Sequence, residues 1–241
     1  MRTSDVTFDI RCEWGEAGIL ALAPFPDVIV VVDVLSFSTC VDIAVSRGGE
    51  ILPCKERGPQ AEEFAKTHNA ELALSRGQGH YSLSPLTFLD IEPGARVVLP
   101  SPNGAMVSLA SQVRMTLSGC IRNASAVAQT AEKWGQRIAV IPAGERWSDG
   151  TLRFSLEDWI GAGAILNCLS GRASPEVLAA VAAFREHRAN LEQVLMECMS
   201  GQELVAGGYT EDVLLASMLD ASESIPLFDN FAYRNAGGLR V

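Results

Sequence analysis

Short apolar runs recur along the chain, separated by stretches whose apolar positions return at helical spacing. The runs "VTFDI", "VIVVV", "EILPC", "AELAL", "ARVVLP", "VRMTL" and "RIAVIP" predict strands, because β-branched and aliphatic residues crowd each one and turn residues bound it. Between them the pattern predicts helices over residues 38–47, 59–67, 103–111 and 123–134. After Pro142 the rhythm changes, and helical spacing predicts helices over 155–168, 175–200 and 210–219. Strands alternating with helices define an α/β class, a layered sheet with helices on both faces. A length of 241 residues suits a single domain over 1–241. A faint echo between "VVVDVLSFSTCVDIA" and "IAVIPAGERWSDGTLRFSLEDWIGAGAI" raises a second organisation, two similar α/β halves of about 1–120 and 121–241 packed together. The last segment, "IPLFDNFAYRNAGGLRV", reads as an irregular return across the surface.

Composition narrows the partners. Lys+Arg of 19 against Asp+Glu of 29 gives a net charge of −10. No basic run offsets it, so neither nucleic acid nor an anionic membrane is an expected partner. A small anionic ligand stays open where local cations or a bound metal reverse the field. The six cysteines are scattered, with no C-x-x-C pair, which argues against zinc. No apolar run approaches the roughly 20 residues that span a bilayer. The start, "MRTSDVTFDIRCEWGEAG", lacks an apolar core followed by a cleavage site. A cytoplasmic protein with reduced thiols is expected, with homo-oligomerisation left open.

Open α/β sheets bind ligands beyond the carboxyl ends of their strands, which singles out four segments. The first is Asp33 and the turn after "VIVVV", with Ser38 and Thr39 at the start of the next helix. An acid there is either a helix cap or a metal ligand, and the hydroxyls either start the helix or serve a phosphate at its N-terminus. The second is "SPNG", a turn by composition in which Asn103 and Gly104 are also placed to contact a ligand. The third, "SGCIRN", offers Arg122 and Asn123; the guanidinium fork of Arg122 suits anionic oxygens, and Arg146 is its rival. The fourth runs from Gly144 to Asp158, where Glu145, Asp149, Glu157 and Asp158 crowd one loop and helix start. "SLED" fits a capping box, yet clustered carboxylates repel unless a cation sits among them. Hard oxygen donors without a His/Cys set favour Mg²⁺. The connection over 75–94 is long for a compact domain, and such a segment is usually functional or mobile; it contains Arg76, His80, Ser82 and Ser84, which leaves open that it folds over a site.

Taken in order, "VVVDVLSFSTCVDIAVSRGGEILP", "VLPSPNGA", "SGCIRNASAVA", "IPAGERWSDGTLRFSLEDWIGAGAIL" and "SGQELVAGGYTEDV" resemble the 2-phosphosulfolactate phosphatase family. The resemblance implies that family's α/β fold, a Mg²⁺ requirement, and hydrolysis of a small three-carbon phosphate ester bearing a sulfonate and a carboxylate, a step in coenzyme M biosynthesis. By motif, Asp33 and the Glu157-Asp158 pair fall on the family's acidic positions, expected to hold Mg²⁺ and to act in catalysis. Ser38, Thr39, Asn103, Gly104, Arg122 and Asn123 are expected to bind the ester. Two departures bear on substrate. Family members typically read Asp-Val-x-Arg-Ala-Thr after the strand, whereas Ser36 stands here where the arginine would be. The family's Gly-Asn-Ser-Pro is here Ser82-Leu83-Ser84-Pro85. The alternatives are a non-catalytic binder of a small anionic metabolite and another metal-dependent lyase or hydrolase on the same scaffold.

Overall fold

The computed structural model describes residues 8–22, 25–229 and 231–237. Its strands are β1 (Ile10–Cys12), β2 (Val28–Val32), β3 (Glu50–Cys54), β4 (Glu71–Leu72), β5 (Arg96–Pro100), β6 (Met115–Gly119), β7 (Ile138–Pro142), β8 (Glu145–Arg146), β9 (Leu152–Arg153), β10 (Pro226–Phe228) and β11 (Tyr233–Asn235). Its helices are α1 (Gly15–Leu22), α2 (Phe37–Ser46), α3 (Pro59–Thr67), α4 (Gly104–Ala110), α5 (Ala124–Trp134), α6 (Leu156–Leu166), α7 (Pro175–His187), α8 (Leu191–Glu197), α9 (Met199–Ala206) and α10 (Thr210–Ser217). Nine strands form one mixed sheet in the order β1-β7-β2-β6-β10-β11-β3-β5-β4. The strands β1, β7, β2 and β6 run parallel, as do β3, β5 and β4. The hairpin β10–β11 joins these two blocks, antiparallel to its neighbours on either side. Within the sheet β7, from after residue 120, lies between β1 and β2, from before it.

The layers follow from side-chain alternation along β2. Val28, Val30 and Val32 face a core built with Val127 of α5, Ile160 and Ile165 of α6, and Ala180 of α7. Ile29 and Val31 face the other way, onto Ile19 and Leu22 of α1 and Val107 of α4. Both faces being covered explains why "VIVVV" is a continuous apolar run rather than an alternating one. In the other block, α2 packs Cys40, Val41 and Ala44 against Ile51, Val97 and Leu99. On the opposite face α3 packs Ala61 and Ala65 against Leu52, Cys54 and Val98. Among the described residues no helix is long and apolar enough to cross a membrane. All six cysteines are free thiols, and all but Cys168 are buried.

Three expectations are corrected. The tail is not a surface return: β10 and β11 enter the middle of the sheet, and Phe228 and Tyr233 are core residues. The stretch 175–200 is not one helix. It ends at His187, passes through a 3-10 turn (Arg188–Asn190), and restarts as α8 and α9 on either side of Cys198. The close approach of Gly201 to the Leu195 carbonyl fixes that second break, since a Cβ at Gly201 would collide with it. The helix α1 has no counterpart among the predicted elements. Of the first predicted strand, "VTFDI", Val6 and Thr7 lie outside the described residues, and the strand observed begins at Ile10.

Candidate functional site

Loops from both parallel blocks meet at Asp33. The turn after β2 carries it, and the residue is 5% exposed. Oδ1 accepts the amide of Phe37 at 3.1 Å, the first residue of α2, so the acid does serve the helix start. Oδ2 accepts the amide of Gly104 at 2.7 Å and the Ser101 hydroxyl at 3.5 Å, both from the turn after β5. Gly104 is required by this approach: a Cβ there would lie 2.7 Å from Oδ2 and would press on the Phe37 ring. The "SPNG" turn is thus a backbone donor to the acid.

Asp33 lines a cavity of about 350 Å³, together with Ser36, Arg57, Arg76, Ser101, Asn103 and Glu145, closed on one side by α9 residues and Tyr209. The Asn103 amide group donates to Glu145 Oε1 at 2.8 Å, which orients that carboxylate at the cavity wall. Burial, followed by the charge of Glu145, pushes the Asp33 carboxyl up to about 7. Of the residues that the cavity adds to those expected from sequence, Arg57 and Glu203 carry charge. From the segment 75–94, Arg76 and Leu83 line the cavity; His80 instead stacks on Tyr81 with its ring centroid 4.2 Å away, well exposed.

Several expected site residues are engaged elsewhere. Asp158 is buried behind the cavity, where Oδ1 accepts the Val34 amide at 2.7 Å and Oδ2 accepts the Gly144 amide at 2.9 Å. It ties the loop after β2 to the loop after β7. Burial, then the charges of Asp33 and Glu157, hold it well above the ordinary carboxylate range. Glu157 is buried too and does not line the cavity. Among the described residues no three acidic, His or Cys side chains converge as a metal cluster, so Asp33, Glu157 and Asp158 do not form the trio expected. Nor is "SLED" a capping box, since the Ser155 side chain makes no cap hydrogen bond. Asp149 is held at the surface by its acceptance of the Thr151 amide and hydroxyl.

The Ser38 hydroxyl accepts the Asp33 amide at 3.0 Å, and the Thr39 hydroxyl donates to the Val34 carbonyl at 2.7 Å. Both shape the turn that presents Asp33 and leave no group facing the cavity. Asn123 accepts the Cys120 amide at 2.8 Å and is fully buried. Arg122 pairs with buried Asp42 (Nε to Oδ2, 2.8 Å) and donates to the Leu215 carbonyl of α10 at 3.0 Å. It pins the helices together and lies outside the cavity lining. Arg146 reaches the carbonyls of Pro102 and Gly150 and is exposed.

The raised Asp33 group gives a pH signature. Asp33 keeps its proton in the fold from about pH 4 to 7, a range in which the unfolded chain has lost it. The native state therefore binds more protons there, and stability falls as pH rises through that window. Asp158 acts in the same sense. Asp27 and Glu50, lowered first by hydrogen bonds from Arg137 and Arg234, act oppositely and lose their contribution as pH falls below about 4. Thermal melts of the metal-free protein are expected to peak near pH 4–5 and to lose on the order of 1–3 kcal/mol by pH 7.5. A flat profile would show that Asp33 is ionised at little cost.

A buried carboxylate and two guanidiniums, those of Asp33, Arg57 and Arg76, line one cavity at the loops of a doubly covered α/β sheet. The chain belongs to the 2-phosphosulpholactate phosphatase family, whose family model matches residues 20–230. That family is one of phosphoric monoester hydrolases. The probable 2-phosphosulfolactate phosphatase of Carboxydothermus hydrogenoformans is 30% identical over 207 residues, covering 82% of this chain and 84% of that one. The 2-phosphosulfolactate phosphatase of Methanothermobacter thermautotrophicus is 25% identical over 202 residues, with coverage of 83% and 85%.

Proposed function

We propose that this protein is a Mg²⁺-dependent phosphatase that hydrolyses 2-phosphosulfolactate, or a related 2-phosphohydroxy acid, to the hydroxy acid and phosphate. The observation that carries the reading is the presence of Asp33, Arg57 and Arg76 on the wall of one cavity in a chain of this family. Mg²⁺ keeps several waters and takes one or two protein carboxylates beside substrate phosphate oxygens. Asp33 and Glu145 meet that need: they line the same cavity, and the charge of Glu145 is a leading reason that Asp33 resists ionisation. Asp33 and Glu145 would hold the ion, and its charge would offset their mutual repulsion. When bound, the ion supplies neutralisation of phosphoryl oxygens and a template for water.

The protein's own groups do the rest. The Gly104 and Phe37 amides fix both oxygens of Asp33, so the carboxylate needs little reorganisation on binding. Asn103 holds Glu145 in place. Arg57 and Arg76 counter the acidic wall and attract the ester. Cytoplasmic location, a place in coenzyme M biosynthesis and self-association belong to the same proposal.

The test is phosphate release from 2-phosphosulfolactate and simpler 2-phosphohydroxy acids, with and without Mg²⁺. Turnover that requires the ion is expected. Binding of these esters by the folded, Mg²⁺-supplied protein without phosphate release would instead make it a non-catalytic metabolite binder. A melting curve indifferent to millimolar Mg²⁺ would count against the metal, because a ligand that binds only the folded state must stabilise it.

A further inference from the structure

The departure at position 36 acquires a structural reading from the segment 75–94. In place of a cation at residue 36, the Ser36 hydroxyl accepts a hydrogen bond from Arg76 Nη2 at 2.9 Å. Arg76 Nε also pairs with Asp212 Oδ2 at 3.3 Å. Asp212 is 1% exposed, and its other oxygen accepts the Ser84 hydroxyl at 2.5 Å and the Leu86 amide at 3.4 Å. The guanidinium lies over the Tyr209 ring, 5.3 Å from its centroid. Three elements distant in sequence thus hold one cation: the turn after β2, the start of α10, and the loop that ends in the 3-10 turn Pro85–Phe88. The side chain stays 21% exposed and lines the cavity. Nη1 has no protein partner among the described residues, which leaves donors for a ligand. An arginine at position 36 would set a second guanidinium against this one, so a small hydroxyl there is what the arrangement needs.

We propose that Arg76 receives a non-transferred anionic group of the ester, a carboxylate or a sulfonate, and that Asp212 and Ser36 position it for that role. The inference rests on the phosphatase reading. Asp33 and Arg76 then divide the cavity: the phosphoryl group belongs with the carboxylates and any bound cation, and the second anion with the guanidinium. A held fork suits an oxyanion better than the exposed and untethered Arg57, because less side-chain freedom is lost on binding.

The experiment compares kcat/KM for 2-phosphosulfolactate, for 2-phospholactate (carboxylate kept, sulfonate absent) and for a phosphorylated hydroxyalkanesulfonate (sulfonate kept, carboxylate absent). Wild type, Arg76→Lys and Asp212→Asn are measured with Mg²⁺. Arg76→Lys keeps the charge opposite Asp212 and so protects the fold, but it removes the fork. The preference for the ester bearing the recognised group over the ester lacking it is expected to fall at least tenfold, through KM rather than kcat. Asp212→Asn is expected to shift the same ratio less. The substrate whose loss of a group no longer matters in Arg76→Lys identifies that group. An equal fall for all three esters would overturn the proposal and leave the phosphatase reading standing. Should wild type release no phosphate, titration calorimetry with sulfolactate and lactate still decides: binding of both unchanged by Arg76→Lys sinks the inference on its own.

Discussion

Asp33→Asn is expected to lower kcat/KM for the phosphate ester by on the order of 10³-fold while leaving the protein folded. The two halves of that statement come from different physics. An asparagine can accept the amide of Phe37 or that of Gly104, and it turns its NH₂ toward the other. One buried amide then loses its acceptor, at about 1–3 kcal/mol. Against this, the variant no longer has to ionise a carboxyl that burial and Glu145 hold up to about 7. The opposing terms are of similar size at neutral pH, so the melting temperature changes little. Chemistry has no such offset, because the substituted side chain carries no charge for a cation or for a reaction at phosphorus. The Mg²⁺-induced rise in melting temperature is expected to vanish with the activity. Activity within tenfold of wild type would remove Asp33 from the proposed centre.

The legibility of this chain followed the range of the interactions involved. The strand β2 was readable because five buried positions in a row leave a compositional mark. Asp33 was readable because it breaks that run at its carboxyl end. "SPNG" was recognised, but the role of Gly104 depends on a contact 71 residues away that no local pattern encodes. Hydroxyls at Ser38 and Thr39 suggested ligand binding, yet the tight turn around Asp33 uses both. Arg76 and Asp212 lie 136 residues apart, and neither carries a local signal that names the other. The loop length over 75–94 was the clue available, and Arg76 of that loop lines the cavity. The strands β10 and β11 escaped because each is three residues long amid polar residues. Acidic crowding near 145–158 resolves into separate settings: Glu145 lines the cavity, Asp158 accepts backbone amides behind it, and Asp149 stays at the surface.

Arg122 marks the boundary between site and scaffold, and its substitution should produce the mirror image of Asp33→Asn. In Arg122→Met, the carboxylate of Asp42 is left fully buried with the Ser224 hydroxyl as its remaining side-chain partner. Breaking a buried ion pair from one side typically costs about 3–5 kcal/mol, because a charge stays behind without its counterion. The Leu215 carbonyl on α10 loses a donor as well. For a protein of this size that cost corresponds to a fall of roughly 10 °C in Tm. KM for the ester, measured well below the new Tm, should hold within about twofold, since Arg122 faces Asp42 and α10 rather than the cavity. Pairing the change with Asp42→Asn removes the stranded charge and should recover part of the loss, as coupled neighbours do in a double-mutant cycle. The opposite pattern, an unchanged Tm with KM raised tenfold or more, would return Arg122 to the phosphate and break the division drawn between the Arg76 and Arg122 guanidiniums.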